Sequence, residues 1–254
     1  MPPRSLFLDL GNSSLKGRVF EGSREIHAFR RFKGGGDEAD LAAALRGVTR
    51  VFGAASRGLP RIHGLPVPEG LWAGFDFPLP GDPAYDRPEE MGPDRRLACH
   101  ALRVGAGGGL VLDAGTCLTA SAVDPEGRIY GLAIAPGFGA LVEAVSTSAP
   151  GLRLEVEMAR GGSAIVGDEV PRDTEGNLRT GLAAAFRGTA REVLVSARSF
   201  ARRAKGVPDR LWLTGGDAAR LREVLGEGEV VPDLVCRGLR LWVEELGLAN
   251  GGKG

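Results

Sequence analysis

Two stretches of the sequence repeat one pattern: Ser5-Leu6-Phe7-Leu8-Asp9-Leu10-Gly11-Asn12-Ser13 and Gly109-Leu110-Val111-Leu112-Asp113-Ala114-Gly115-Thr116-Cys117. In each, an apolar run typical of a buried strand ends in Asp-x-Gly and small polar residues, and a second strand-like stretch and a polar turn follow. Because one strand-turn-strand unit occurs in each half of the chain, the repeat predicts two related lobes, residues 1–108 and 109–254. The glycines between residues 105 and 109 form the predicted connection.

Helical patterns alternate with these strands and predict an α/β protein. The predicted helices are 37–46, 95–104, 178–205 with an interruption near Gly188, 217–225 and 234–248, and a short buried strand covers 211–213. Residues 53–88 contain seven prolines and no clear period, so they are predicted to form loops with an edge strand.

The composition excludes several classes of protein. The chain has 254 residues, with 32 basic and 32 acidic side chains, so it lacks the positive charge that binding to nucleic acid requires. Asp9 interrupts the apolar run near the N-terminus, and no apolar run approaches the roughly 18 residues of a membrane span. These features predict a cytoplasmic protein that binds neither nucleic acid nor membrane.

The three cysteines, Cys99, Cys117 and Cys236, lie far apart in the sequence and show no C-x-x-C spacing. An odd number of isolated cysteines supports neither a disulfide framework nor a zinc site. We therefore expect three buried, reduced thiols.

The first turn, residues 9–16, has the composition of a phosphate-binding loop. It consists of Asp9, Leu10, Gly11, Asn12, Ser13, Ser14, Leu15 and Lys16. The glycine lets backbone amides approach an anion, the amide and hydroxyl side chains add donors, Lys16 adds positive charge, and Asp9 is placed to hold a hydrated Mg²⁺ ion. The alternative is a β-hairpin turn with an Asx cap, which a single motif of this kind favours.

A second turn begins at Asp113 and continues through Thr116, and its equivalence to the first favours the phosphate-binding interpretation for both. We expect the two turns to face each other across a cleft and to bind one polyphosphate. A third strand end, Thr214-Gly215-Gly216, comes directly before a predicted helix. An adenine ring can lie against the bare backbone of its glycines. The alternative is a tight strand-to-helix turn. Neither a dinucleotide-binding G-x-G-x-x-G motif before a helix nor a Walker loop occurs.

A further polar cluster surrounds Pro93, which suits the first turn of a helix. Asp94 then lies where the helix dipole favours a carboxylate, and the neighbouring Arg95 can hold an anionic group of a substrate. The pair is a candidate catalytic site. The alternative is an ordinary solvated helix start, where acidic residues are common.

The ordered set of motifs resembles the type III pantothenate kinases, members of the actin, hexokinase and sugar-kinase superfold. The resemblance covers nearly the whole chain and is weakest between residues 22 and 80. It rests on D-x-G-N-[ST]-x-x-K at 9–16, Tyr85 seven residues before G-x-D-R at 92–95, D-x-G-T at 113–116, A-I-A-P-G at 133–137, Thr174 seven residues before Gly181, and Thr-Gly-Gly at 214–216.

The resemblance implies a fold, a reaction and roles for residues. The fold is two ribonuclease-H-like, actin-like ATPase lobes with a nucleotide cleft between them, assembled as a homodimer whose partner helps to build the pantothenate pocket. The reaction is ATP-dependent phosphorylation of pantothenate to 4′-phosphopantothenate, the first step of coenzyme A biosynthesis, by a phosphotransferase with an alcohol acceptor. The implied roles are ATP phosphate binding by residues 9–16 and Thr116, K⁺ or NH₄⁺ binding by Asp113, pantothenate binding by Tyr85, Gly92, Pro93, Asp94, Arg95 and Thr174, and action of Asp94 as the base.

Two other functions stay open at this point. One is a non-catalytic transcription accessory or regulatory protein of the same fold. The other is a kinase for another small hydroxylated substrate, because phosphate-binding turns indicate ATP and say nothing of the acceptor.

Overall fold

The computed structural model of the chain describes residues 3–12, 14–32, 42, 45–56, 69–152, 170–204 and 206–250. The strands are β1 Arg4–Leu10, β2 Ser14–Glu21, β3 Arg24–Phe32, β4 Val48–Ala55, β5 Leu71–Trp72, β6 Asp82–Pro83, β7 Gly109–Ala114, β8 Cys117–Val123, β9 Arg128–Pro136, β10 Leu211–Thr214 and β11 Glu229–Val230. The helices are α1 Pro93–Ala106, α2 Phe138–Ser148, α3 Thr174–Arg203, α4 Ala218–Leu225 and α5 Leu234–Glu245. The α/β class is therefore confirmed.

The chain forms two compact units and contains two sheets. The first unit contains Met1–Ala106, Gly127–Ile129 and Asp233–Gly254, and the second contains Gly107–Glu126 and Tyr130–Pro232. The C-terminal helix α5 thus belongs with the N-terminal half of the chain. It does so because its apolar face, including Val235 and Leu239, completes a core cluster with Phe7 of β1 and Leu97 of α1.

The sheet of the first unit has the strand order β3-β2-β1-β4-β5. Strands β1, β2 and β3 are antiparallel neighbours, whereas β4 runs parallel to both β1 and β5. Central strand β1 is buried on both faces: Leu6 and Leu8 pack in one apolar cluster and Phe7 in another. A strand that is apolar on both faces needs covering on both sides.

The short strand β5 lies at an edge of this sheet and confirms the edge strand predicted within residues 53–88. It pairs with β4, where Trp72 lies opposite Gly53. A Cβ atom at Gly53 would overlap the Trp72 ring, so the absence of a side chain at Gly53 lets the indole pack directly on the neighbouring backbone.

The second sheet has the strand order β11-β10-β7-β8-β9-β6. Strand β10 runs parallel to β7 and β11, and β7 and β8 form an antiparallel pair. The predicted strand at 211–213 and helix at 217–225 are confirmed as β10 and α4.

Helix α3 corrects one prediction, because it runs unbroken from Thr174 to Arg203 through Gly188. One exposed glycine costs a helix roughly 1 kcal/mol. Seven buried side chains along α3, among them Phe186 and Leu194, outweigh that cost.

The remaining predictions have mixed outcomes. Helix α1 begins two residues before its predicted start, and α5 ends at Glu245 rather than at 248. The helix predicted at 37–46 falls largely outside the described residues. Cys99 and Cys236 are buried as expected, but Cys117 is exposed because it begins β8 directly after a turn.

The close packing of α5 on α1 predicts that adding a side chain at one glycine of α5 destabilises the fold. A Cβ atom at Gly238 of α5 would overlap the Leu97 carbonyl group of α1. We expect Gly238→Ala to lower the free energy of unfolding by about 1–3 kcal/mol, because backbone cannot yield as a side chain does. Gly188→Ala is the control: no neighbouring atom lies within 4 Å, and we expect alanine there to stabilise α3 by about 0.5–1 kcal/mol. Urea unfolding measures both; equal effects of the two variants would contradict this packing.

Candidate active site

The first turn joins β1 and β2 as a hairpin. Asp9 and Lys16 face each other across it in register, and Lys16 Nζ donates to Asp9 Oδ2 at 3.2 Å. The Gly11 amide donates to the Ser14 carbonyl oxygen at 3.0 Å and closes the turn. The β-hairpin considered above as the alternative to a phosphate-binding loop is therefore present. It carries a buried carboxylate, Asp9, and a lysine, Lys16, on one face of the sheet. Ser13 lies outside the described residues.

The Asp9 carboxylate is in an unfavourable place for a negative charge. Its exposed fraction is 5%, and burial raises its pKa above the ordinary value of 3.8. Lys16 opposes this shift, whereas the negative charges of Asp94 and Asp233 raise the pKa further. Asp9 therefore lies within electrostatic reach of both carboxylates, and a cation bound beside it would stabilise its ionised form.

A second ion pair braces the same hairpin. Arg18 of β2 donates to Asp233 Oδ2 from Nε at 3.2 Å and from Nη2 at 2.7 Å, which ties β2 to the start of α5. Asp233 has φ 50° and ψ 42°, the left-handed conformation that Asp tolerates better than most residues. Sequence reasoning missed this pair, because no local pattern joins residues so distant in the chain.

The start of α1, at Pro93, brings together five of the six predicted substrate-binding residues. Asp94 Oδ1 accepts a hydrogen bond from the Arg95 amide at 2.9 Å, and Arg95 Nη1 donates to the Tyr85 hydroxyl at 3.1 Å. A Cβ atom at Gly92 would lie 2.5 Å from Asp94 Oδ1, so the carboxylate folds back over bare backbone. Arg95 is buried, unlike the side chains of an ordinary solvated helix start.

A cavity of about 740 Å³ lies beside this helix start. Its wall includes Gly92 and Pro93 from the predicted substrate segment and Arg96, one residue beyond it. The other lining residues are Ala55, Ser56, Ala73, Gly74, Phe75, Asp76, Phe77, Pro78, Leu79, Glu89, Glu90 and Met91. Both apolar and charged side chains line it, which suits a small polar ligand with an apolar portion.

The second and third turns meet in the second unit. Thr214 is the register partner of Asp113, and the Asp217 amide donates to the Ala114 carbonyl oxygen at 2.9 Å. Gly215 has φ +95°, and a Cβ atom there would overlap both Asp113 Oδ1 and the Ala114 backbone. Only glycine combines that conformation with so close an approach. The half-buried Asp113 carboxylate is thus bordered by bare backbone.

Gly137, which belongs to the A-I-A-P-G motif but was given no role from the sequence, also approaches the second turn. Its amide donates to the Thr116 carbonyl oxygen at 3.0 Å, and helix α2 begins at the next residue. A Cβ atom at Gly137 would overlap the Gly115 carbonyl oxygen. Gly137, the last residue of the A-I-A-P-G motif, is therefore the feature of the sequence that could have indicated that the start of α2 lies at the second turn.

Thr174 is the one predicted substrate residue that belongs to the second unit. It is exposed at the first position of α3, after Asp173, whose Oδ1 caps the helix by accepting from the Gly176 amide at 2.6 Å. It belongs to the second unit, whereas Tyr85 and residues 92–95 belong to the first.

Two features are absent from the described residues. Within these ranges, no group of three or more His, Cys, Asp or Glu side chains is arranged to hold a metal ion. None of the helices in the described part of the chain has the length and apolar character needed to cross a membrane.

Solved structures show the class of fold. The activator of 2-hydroxyisocaproyl-CoA dehydratase from Clostridium difficile with bound ADPNP matches with a TM-score of 0.52 at 14% identity, over 99% of this chain and 98% of that one. A Campylobacter jejuni protein described as a Baf family transcriptional activator matches with a TM-score of 0.55 at 18% identity, over 96% and 99%. The fold is that of the actin-like ATPases and sugar kinases.

Sequence comparison then shows the family. The family model for type III pantothenate kinase matches residues 71–196. The type III pantothenate kinase of Alkalilimnicola ehrlichii is 33% identical over 266 residues, which cover 96% of this chain and all of that protein. The one from an Azoarcus species is 30% identical over 259 residues, or 92% and 88%. The chain belongs to the type III pantothenate kinase family.

The raised pKa of Asp9 predicts how Asp9→Asn changes stability. Because the folded state binds the Asp9 proton more tightly than the unfolded state, ionised Asp9 disfavours folding at neutral pH, and this cost fades as the pH falls through its folded pKa towards 3.8. We therefore expect Asp9→Asn to melt no lower than the natural protein at pH 7, with the difference shrinking in acid. Thermal melts across pH measure this.

Glu25→Gln is the control for that experiment, because it removes an exposed carboxylate of β3, the strand beside this hairpin, that pairs with Arg18 of β2. Its effect should be small at every pH. A clear loss of stability in Asp9→Asn at pH 7 would show that the Lys16 ion pair outweighs the cost of burial.

Proposed function

We propose that this chain transfers the γ-phosphoryl group of ATP to the primary hydroxyl of pantothenate and forms 4′-phosphopantothenate, the first step of coenzyme A biosynthesis. Membership of the family supports the reaction. The observation that carries it is the side-chain cluster at the start of α1, where the Arg95 amide donates to Asp94 Oδ1 at 2.9 Å and Arg95 Nη1 donates to the Tyr85 hydroxyl at 3.1 Å. The negative charge of Asp94 also contributes to the raised pKa of Asp9 in the first turn. A base for the acceptor hydroxyl has to lie near the phosphate site, because phosphoryl transfer requires the attacking and leaving oxygens to be in line.

In this proposal, Asp94 is the catalytic base. The hydroxyl of pantothenate donates to the Asp94 carboxylate, which orients the oxygen and accepts its proton as the bond to the γ-phosphorus forms and the β–γ bridging bond breaks. Contact with the Arg95 amide holds the carboxylate in place. Tyr85, Gly92, Pro93, Arg95 and Thr174 are the proposed pantothenate contacts.

The nucleotide is proposed to bind through three turns. Residues 9–16 and Thr116 contact its phosphates, with Lys16 supplying positive charge, and Thr214, Gly215 and Gly216 contact its adenosine portion. That the turns beginning at Asp9 and Asp113 bind the same triphosphate is part of the proposal. Loose transition states of this reaction are stabilised mainly by charge and position, which such turns supply.

Two cations complete the proposal. A divalent ion accompanies the nucleotide, and we propose Mg²⁺, with Asp9 as its anchor; a buried carboxylate with a raised pKa fits a site that a cation completes. K⁺ or NH₄⁺ is the proposed monovalent ion at Asp113, whose carboxylate is bordered by the bare backbone of Gly115 and Gly215. These ions neutralise phosphate charge when bound.

The setting of the reaction is also a proposal. We place it in the cytoplasm and propose a homodimer whose partner helps to build the pantothenate pocket, with neither nucleic acid nor membrane as a partner.

One assay tests the function. Purified protein is incubated with ATP, Mg²⁺ and pantothenate, with and without K⁺, and 4′-phosphopantothenate is quantified by mass spectrometry. We expect K⁺-dependent product. Absence of product under any cation would overturn the assignment and favour the accessory-protein alternative, whereas ATP turnover with another alcohol would favour a kinase with a different acceptor.

Replacing the proposed base, Asp94, should change kcat separately from KM for ATP. We expect Asp94→Asn to lower kcat by about 10²–10⁴-fold, because it removes the proton acceptor, with little change in KM for ATP. Asp86→Asn, an exposed aspartate in the segment that precedes α1, is the matched control and should leave kcat near the natural value. Steady-state kinetics measure both; retained turnover in Asp94→Asn would remove this residue from the mechanism.

We expect Gly92→Ala to lower activity without unfolding the protein. The added Cβ displaces the Asp94 carboxylate, which is the end of a movable side chain, so stability should change little. Because small displacements of a reacting group are costly, we expect kcat to fall by about 10-fold or more. Kinetics and thermal melts of Gly92→Ala, with Gly188→Ala as the control, test this; unchanged kcat would contradict it.

A further inference from the structure

Residues 78–81 form a segment whose carbonyl groups need donors from elsewhere. The segment joins the region of β5 to β6, outside helices and strands. Pro78 and Pro80 have no N–H group, and each restricts the residue before it to extended conformations. An extended stretch with few donors of its own leaves its carbonyl oxygens to be satisfied by side chains or water.

Two side chains, Arg96 of α1 and Trp242 of α5, supply those donors within the first unit. Four successive carbonyl oxygens accept hydrogen bonds from them. The bonds run from Trp242 Nε1 to Pro78 O at 2.7 Å, from Arg96 Nη2 to Leu79 O at 3.1 Å and Gly81 O at 2.9 Å, and from Arg96 Nε to Pro80 O at 2.9 Å.

The position of this segment links it to the acceptor site. At one end, Pro78 and Leu79 line the 740 Å³ cavity together with Gly92 and Pro93. At the other end, β6 leads to Tyr85, whose hydroxyl accepts from Arg95. The segment therefore sets both a wall of the cavity and the approach to one side chain of the predicted substrate site.

We propose that Arg96 and Trp242 are positioning residues for the acceptor substrate, because they hold residues 78–81 as the wall of the cavity and thereby place Tyr85. The inference rests on the proposed function of the site. Neither residue belongs to the motifs that carry the family resemblance, and neither needs to touch the substrate for this role.

Arginine is suited to this task in a way that lysine is not. Its planar guanidinium presents five N–H donors in a fixed fork, so one side chain serves three carbonyl oxygens at once. A lysine of similar length keeps the charge but concentrates its donors at a single nitrogen atom. Arg96→Lys therefore separates the geometry of the hydrogen bonds from the charge.

The test compares Arg96→Lys and Trp242→Phe with Arg103→Lys. Arg103 lies on the same helix, pairs with Glu245 at 3.9 Å and supplies none of the four hydrogen bonds to residues 78–81, so it is the matched control. We expect Arg96→Lys to raise KM for pantothenate by about tenfold or more, Trp242→Phe to raise it less, and KM for ATP to change by less than about twofold in all variants.

Hydrogen exchange supplies the readout that distinguishes positioning from direct contact. The Asp82 and Ala84 amides donate to Gly127 O at 3.0 Å and Ile129 O at 2.8 Å, so their exchange reports on the end of the segment. Faster exchange at these amides together with a raised KM for pantothenate supports the inference. A raised KM without faster exchange, or faster exchange without a raised KM, overturns it.

The two proposals fail in different ways. If the natural protein forms no 4′-phosphopantothenate, the proposed function fails and this inference fails with it. If the natural protein is active but Arg96→Lys behaves as Arg103→Lys does, the inference alone fails. Should Arg96→Lys not fold, Trp242→Phe, which keeps an aromatic ring but loses the indole donor and part of the ring volume, decides the outcome by the same two measurements.

Discussion

The buried carboxylate of Asp9 is the constraint on which the candidate site depends. Strand β1 is central in its sheet and buried on both faces, so the last polar side chain of the strand lies where few water molecules reach it. Lys16, its register partner on β2, stabilises the negative charge, but the charges of Asp94 and Asp233 oppose ionisation. Burial therefore makes the ionised form of Asp9 costly, and a cation bound beside the carboxylate would offset that cost.

Close approach of bare backbone is the second recurring feature. Gly92 lets the Asp94 carboxylate fold back, Gly137 lets the start of α2 reach the second turn, and Gly238 lets α5 pack against α1. Gly215 additionally adopts a positive φ. These glycines thus let the backbone pack closely against functional groups. The chain flexibility that a glycine-rich composition suggests is less important at these positions.

Much of the architecture follows from local sequence patterns. Apolar runs ending in Asp-x-Gly predicted β1 and β7, and the helical periods predicted α1, α4 and α5 to within a few residues. The prediction of a break at Gly188 was wrong, because local propensity takes no account of the buried face of α3. The segment holding Pro78 and Pro80 could not be placed, since its conformation depends on donors from Arg96 and Trp242.

The sequence by itself determined which residues end the strands and begin the helices, because those features depend on neighbours within a few positions. It also carried the motifs by which the family is identified. Only the tertiary structure decided that α5 joins the first unit, that Asp233 braces the hairpin through Arg18, and that Arg96 and Trp242 hold one segment. Contacts between residues far apart in the chain depend on three-dimensional packing, and no local period or spacing encodes them.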